Sequence, residues 1–305
     1  GQCWGRKEQA AAGFAIAIYI PITVFPTGLV GTLGVLSSQA IGAGNVALAG
    51  EWLLLASAQM LAVGVACALL CIVLTPPLIA LSTSDAEVQR LAEHFTAIFA
   101  WSCVIFQFFQ MTRSWFLAQG VVLPFTLATG VGIACTVSIG IFLTCHSGVG
   151  WTGAGLAVNT AGLVQLSLVA AWALLARGTH RTAWAEARLS RVFTRSRVWE
   201  MLRQSGYRGF WFVMDEGACL VLTLMTGRLG TAEVAAQSIY FLLWSVVFAT
   251  QMGLGFSVAT RVGLHLGAGS GMGARRTMLV GLAIFVGKAA LIDMAILGFD
   301  ARPAA

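Results

Sequence analysis

The stretch Ser38–Asn45, SQAIGAGN, decides the architecture, because its ending is written again at Leu266–Ser270, LGAGS. Setting Gly42-Ala43-Gly44 on Gly267-Ala268-Gly269 is an offset of 225. Without a gap, the same offset sets Gly28-Leu29 on Gly253-Leu254, and Glu8, Ala10 and Ala11 on Glu233, Ala235 and Ala236. These pairs are eight identities in the thirty-eight aligned positions, 8–45 against 233–270. With matching hydropathy around them, they mark two homologous halves. Gln39, Gly42 and Gly44 in the first copy, with Gly267 and Gly269 in the second, read as a structural motif where small residues end a helix and let neighbours pack closely.

Composition bounds the class. Hydrophobic residues make up 58% of the chain and charged ones 10%, with a mean hydropathy of +0.85, whereas a soluble domain is about a quarter charged. The chain is therefore read as an all-α polytopic membrane protein. Its net charge of +6 collects in a few loops, where membrane orientation accounts for it, so a nucleic-acid partner is not expected. Cys67, Cys71, Cys103, Cys135 and Cys219 sit inside apolar runs and read as small apolar residues. No paired CxxC or Cys/His set, P-loop, dinucleotide fingerprint or His-Ser-Asp arrangement is present, so no metal, cofactor or enzymatic activity is expected.

Crossing a hydrocarbon core of about 30 Å takes about 20 helical residues. Apolar runs of that length lie near 13–36, 52–74, 96–118, 122–145, 151–176, 207–227, 237–260 and 277–298, which makes eight spans. Short connections at Gly42–Asn45, Thr75–Asp85 and Ser147–Gly150 make successive spans neighbours in an up-and-down bundle. Pro21 and Pro26 predict a bend in the first span. One connection differs: from Arg177 to Arg208 the chain holds eight arginines, with only Glu186 and Glu200 as acids and Trp184, Phe193 and Trp199 interleaved. It reads as a short amphipathic helix at headgroup level, arginines outward, and as the cytoplasmic connector between two lobes. The repeat predicts a longer parent. One span should precede Gly1 and three should follow Ala305, so 1–176 is an N-terminal lobe without its first helix, 177–206 the connector, and 207–305 the start of a C-terminal lobe.

At this point a family resemblance can be stated. LSSQAIGAGN at 36–45, FLAQGVVLP at 116–124, GWTGAGLA at 150–157, EVAAQSI at 233–239 and GFSVATRVGLHLGAGS at 255–270 resemble, in order and spacing, the multidrug and toxic compound extrusion (MATE) transporters of eukaryotes. The resemblance implies two six-helix lobes about a pseudo-twofold, with a cleft that opens alternately to either side. It implies efflux of organic cations or other amphipathic compounds, coupled to protons or, less commonly, Na+. The setting would be the plasma membrane or a vacuolar or other organelle membrane. A lipid or lipid-linked oligosaccharide flippase of the same superfamily, or a non-transporting membrane fragment, are the alternatives.

Ion coupling needs an ionisable group inside the membrane. Asp215 and Glu216 sit within the 207–227 run and are the candidates for ion coupling and substrate binding, together with Trp211. The family carries a CxEWWxxE pattern on this span. Its first acid falls on Asp215, its second on Leu220, and Glu216 takes the place of an aromatic residue, a departure from the family. Tyr240, Gln251 and Asn159 are expected to line the cleft. Amides in the spans, Gln59, Gln107, Gln165 and Asn159 among them, are expected to hydrogen-bond between helices.

Overall fold

The computed structural model describes residues 5–300 apart from 83–84, 148, 177, 188 and 228–230. Arg177 and Arg188, two of the connector arginines counted above, lie outside the described residues. The described elements are α1 (Arg6–Thr23), α2 (Thr27–Gly42), α3 (Val46–Ser82), α4 (Ala86–Phe99), α5 (Ser102–Ala118) and α6 (Leu123–Cys145), then α7 (Gly153–Leu175), α8 (Thr179–Glu186), α9 (Leu189–Val192), α10 (Arg195–Gly227), α11 (Thr231–Gly267) and α12 (Gly271–Asp300). No strand is present among the described residues. Among the described residues seven helical segments are long and apolar enough to cross a membrane: 7–42, 46–81, 86–118, 123–145, 150–175, 243–267 and 271–294. The eighth expected span lies in α10, whose 33 residues include Arg208, Asp215 and Glu216.

Local chemistry explains the element ends. Pro26 lacks an amide hydrogen, and the chain turns at Val24–Pro26 between α1 and α2. The Asp85 carboxylate caps α4 by accepting from the amides of Glu87 at 2.9 Å and Val88 at 3.4 Å. Thr75-Pro76-Pro77, expected as a connection, is instead helical within α3. Packing holds it, because Ile79 beyond the prolines is fully buried with Ala11, Val88 and Ala92.

The bundle is inside-out relative to a soluble protein. On α6 the side chains of Leu123, Leu127, Ile133, Val137 and Ile141 face outward, each more than half exposed. Hydrocarbon is their natural solvent. Inside, Trp115, Phe116, Phe125, Leu33 and Met60 form the core. Amides tie helices together as the sequence led one to expect: Gln107 Nε2 donates to Thr23 O at 2.9 Å, Asn159 Nδ2 to Ile98 O at 2.8 Å and Gln59 Nε2 to Val198 O at 3.3 Å.

The connector is docked on α3. Trp184 stacks on Trp115 with ring centroids 6.0 Å apart, His180 is buried with a ring nitrogen 3.0 Å from Ala173 O, and Arg197 pairs with buried Glu51 at 2.5 Å. Trp199 and Phe193 remain exposed.

Candidate functional site

The two copies of the repeat meet each other. α2 packs along α11, and their ends cross where a Cβ on Gly42 would overlap the carbonyl oxygen of Leu264 and a Cβ on Gly267 would overlap that of Gln39. The relation is reciprocal at the offset of 225, since Gln39 corresponds to Leu264 as Gly42 does to Gly267. A pseudo-twofold therefore passes through the crossing.

The turns beyond it match bond for bond. Gly44 has φ +74° and Gly269 φ +70°, the left-handed conformation glycine adopts without penalty. Asn45 N donates to Ala40 O at 2.9 Å and Ser270 N to His265 O at 2.8 Å. The following helices are capped alike, with Leu48 N on Asn45 Oδ1 at 3.0 Å and Gly273 N on Ser270 Oγ at 3.3 Å. Glu233, Ala235 and Ala236 lie on α11 in the register of α1, though their side chains are outside the described residues.

Away from the crossing, α2, α10, α11 and α12 line an open cavity of about 640 Å³. Its wall is aromatic: Tyr207, Trp211, Phe212, Trp244, Phe248, Phe256 and Phe285. Its charged lining residues are Asp215 and Arg208, both from α10, and its amide is Gln251. Gly31 and Phe256, which share a register at the offset of 225, face the cavity eleven residues before the respective crossing glycines, about 16 Å along the helix. The crossing thus closes the connector side below the cavity.

Of the residues singled out from sequence, Asp215, Trp211 and Gln251 share this cavity. Glu216 is half-buried beside Asp215 but points elsewhere, and Tyr240 and Asn159 are not in the wall. Asn159 spends its amide on Ile98 O between α7 and α4. Arg208 was missed, because it was read as the end of the charged connector. The signal that would have found it is its spacing of seven from Asp215, which puts both on one helix face. A smaller cavity of about 350 Å³ between α5, α6 and α7 contains Gln165 and threonines but no charged residue. Among the described residues no three His, Cys, Asp or Glu are placed to hold a metal ion.

A multi-pass helical bundle built from two copies of one unit, with a cavity between them, defines a class of membrane protein. Its family follows from comparison with known proteins. The MatE family pattern matches residues 1–145 and 217–301, either side of the connector, and the chain belongs to that family. Over 92% of its length it is 27% identical to multidrug and toxin extrusion protein 1 of Xenopus tropicalis and 28% identical to that of Homo sapiens, covering 48% and 49% of those proteins. The chain therefore spans about half the length of these relatives. A 105-residue stretch is 34% identical to the probable multidrug resistance protein NorM of Xanthomonas campestris, 34% of this chain and 23% of that one. The fold is that of the eukaryotic MATE transporter AtDTX14, with TM-score 0.83, 19% identity, and coverage of 96% of this chain and 65% of the other. It is equally that of a variant of the Vibrio cholerae MATE transporter VcmN, with TM-score 0.82, 20% identity, and coverage of 97% and 66%.

Proposed function

We propose that this protein is a secondary active transporter that exports organic cations or other amphipathic compounds by alternating access, in exchange for protons. The observation that carries the reading is Asp215, the one carboxylate in the wall of an aromatic cavity that lies between the two copies of the repeat. A carboxylate inside the bilayer is costly and retained for use. Ionised, Asp215 attracts a cation whose flat rings lie against Trp211 and Trp244. Protonated, it releases that cation, so proton and substrate compete for one group and each biases which side the cavity faces. Glu216, adjacent on the helix, is the reserve proton carrier.

In the same reading residues 1–176 and 207–305 belong to two lobes, and the connector faces the cytoplasm. Its arginines support that orientation. So does Cys145, which is disulfide-bonded at the end of α6 remote from the connector, since disulfides persist in oxidising compartments. Single cysteines at Ser196 and Glu87 are expected to react with an impermeant thiol reagent from opposite sides. The function is tested by efflux of an aromatic organic cation against imposed pH gradients. Asp215→Asn is expected to abolish gradient-driven efflux at normal abundance in the membrane, with Glu216→Gln weaker. A double variant that still couples transport to the gradient would sink the assignment.

A further inference from the structure

The first turns of α10 carry Arg195, Arg197 and Arg203, and these arginines face two ways. Arg197 turns inward: its Nη1 donates to buried Glu51 at 2.5 Å, and its Cζ lies 5.8 Å from the centre of the Trp52 ring. Arg195 and Arg203 are exposed. The ion pairs among the described residues are Lys7 with Asp85 and Glu87, and Arg197 with Glu51, so neither outer arginine joins one. Spacing by four sets Arg195, Trp199 and Arg203 on one stripe, within about 80° of arc and about 12 Å of rise. Trp199 is 65% exposed, and the exposed Leu202 and Phe210 share the stripe. Glu200 stands about 60° further round the helix and accepts from Gln204 at 3.4 Å.

This stripe is spare surface. Met201, Ser205 and Gly209 are buried on another face of α10, where a Cβ on Gly28 of α2 would overlap Ser205 O and Gly209 N. None of the stripe residues lines the aromatic cavity. From arginine through tryptophan to phenylalanine the stripe runs from polar to apolar, as the edge of a bilayer does. Helical side chains lean toward the helix N-terminus, here the connector end, so Arg203 reaches back past Trp199 toward Arg195. Its stem lies along apolar surface while the guanidinium stays at headgroup level. Guanidinium forks suit phosphate oxygens. A headgroup that also carries an ammonium would meet the same arginines with repulsion, so a net negative one is preferred.

We propose that Arg195, Trp199 and Arg203 form a site on the outer face of α10 for the headgroup of an anionic phospholipid in the leaflet on the connector side. The site copies the inner arrangement of arginine with tryptophan, and the lipid phosphate supplies the anion that Glu51 supplies to Arg197. A lipid held there steadies the first turns of α10 and, through them, the packing of α10 on α2. Nothing in it depends on the substrate or on the coupling ion.

The test is thermal unfolding of the delipidated, purified protein in detergent, with dioleoyl phosphatidylglycerol, dioleoyl phosphatidylcholine or inorganic phosphate added at equal concentration. Phosphatidylglycerol is expected to raise the melting temperature by at least about 2 °C more than phosphatidylcholine does. Inorganic phosphate should give less than half of that excess. The double variant Arg195→Gln/Arg203→Gln should remove most of the excess, and Arg195→Lys/Arg203→Lys should keep part of it. Arg275→Gln/Arg276→Gln, at exposed positions near the start of α12, should leave it intact. A wild type with no excess overturns the proposal even if a variant fails to fold. So does an excess that survives Arg195→Gln/Arg203→Gln, or one lost equally in Arg275→Gln/Arg276→Gln, which marks attraction by overall charge. An equal shift with inorganic phosphate assigns the arginines to a free anion and overturns the lipid.

Discussion

α1–α2 and α11 are the same helix written twice, and they differ where the cavity lies. At the connector end they are interchangeable: crossing glycines, left-handed turns and caps correspond one for one. In the middle the first copy turns at Val24–Pro26, whereas the second runs unbroken through Ala249, Thr250 and Gln251. Pro26 thus corresponds to Gln251, which faces the cavity, and Gly31 to Phe256. The freed carbonyl of Thr23 is satisfied by Gln107 from α5, while in the second copy Lys288 of α12 donates to Val247 O at 3.2 Å and to Thr250. Symmetry is kept at the crossing and dropped along the cavity.

The largest effect should come from disturbing the symmetric part. Gly42→Leu and Gly267→Leu each push a side chain into the backbone of the other copy, so each is expected to cut transport more than ten-fold, and by similar amounts. Gly253→Leu, at a position with nothing within 4 Å, should stay within two-fold. Unequal losses at the two crossing glycines would break the comparison. Next in size is the asymmetric hinge. Gln107→Leu strands the buried Thr23 carbonyl, a loss of about 1–3 kcal/mol, measurable as a lower denaturation midpoint in detergent with no equivalent site in the second copy.

The smallest effect concerns the outer end of α1. Lys7 pairs with Asp85 at 3.2 Å and Glu87 at 2.5 Å, where the second copy has Ala232. Lys7 beside it holds the Asp85 carboxyl below the usual carboxylate range. A lowered carboxylate pKa means the stabilisation is present above the unfolded value of about 3.9 and is lost as pH falls through the folded one. The difference in melting temperature between wild type and Lys7→Gln should be small and constant near neutral pH, weaken with salt, and vanish on strong acidification.

The repeat, the helical class and the interhelical amides were legible in the sequence because each depends on local spacing: the glycine echo at 225, runs of twenty apolar residues, and isolated Gln and Asn within them. What was not legible is where a helix begins when an Arg-rich amphipathic stretch runs into an apolar one. Gly209 is a packing site inside α10, where a Cβ would lie 2.6 Å from Phe25 O. With the helix start misplaced, Arg208 was assigned to the connector and half of the cavity's charge went unseen. Tyr240 and Asn159 failed to reach the wall for a related reason. Helical spacing tells which residues share a face, but not which neighbour that face meets.

The central claim is that the crossing of the two copies must open for the cavity to be reached from the connector side. Ala43 and Ala268 are exposed on either side of it. Cysteines at both positions, in a background lacking the five free cysteines, can be bridged with a short reducible linker in proteoliposomes, and turnover can be compared with binding of the aromatic cation from the opposite face. The account predicts that the bridged protein still binds from that face but does not turn over, and that cleaving the linker restores transport. Full turnover with the bridge intact would contradict it.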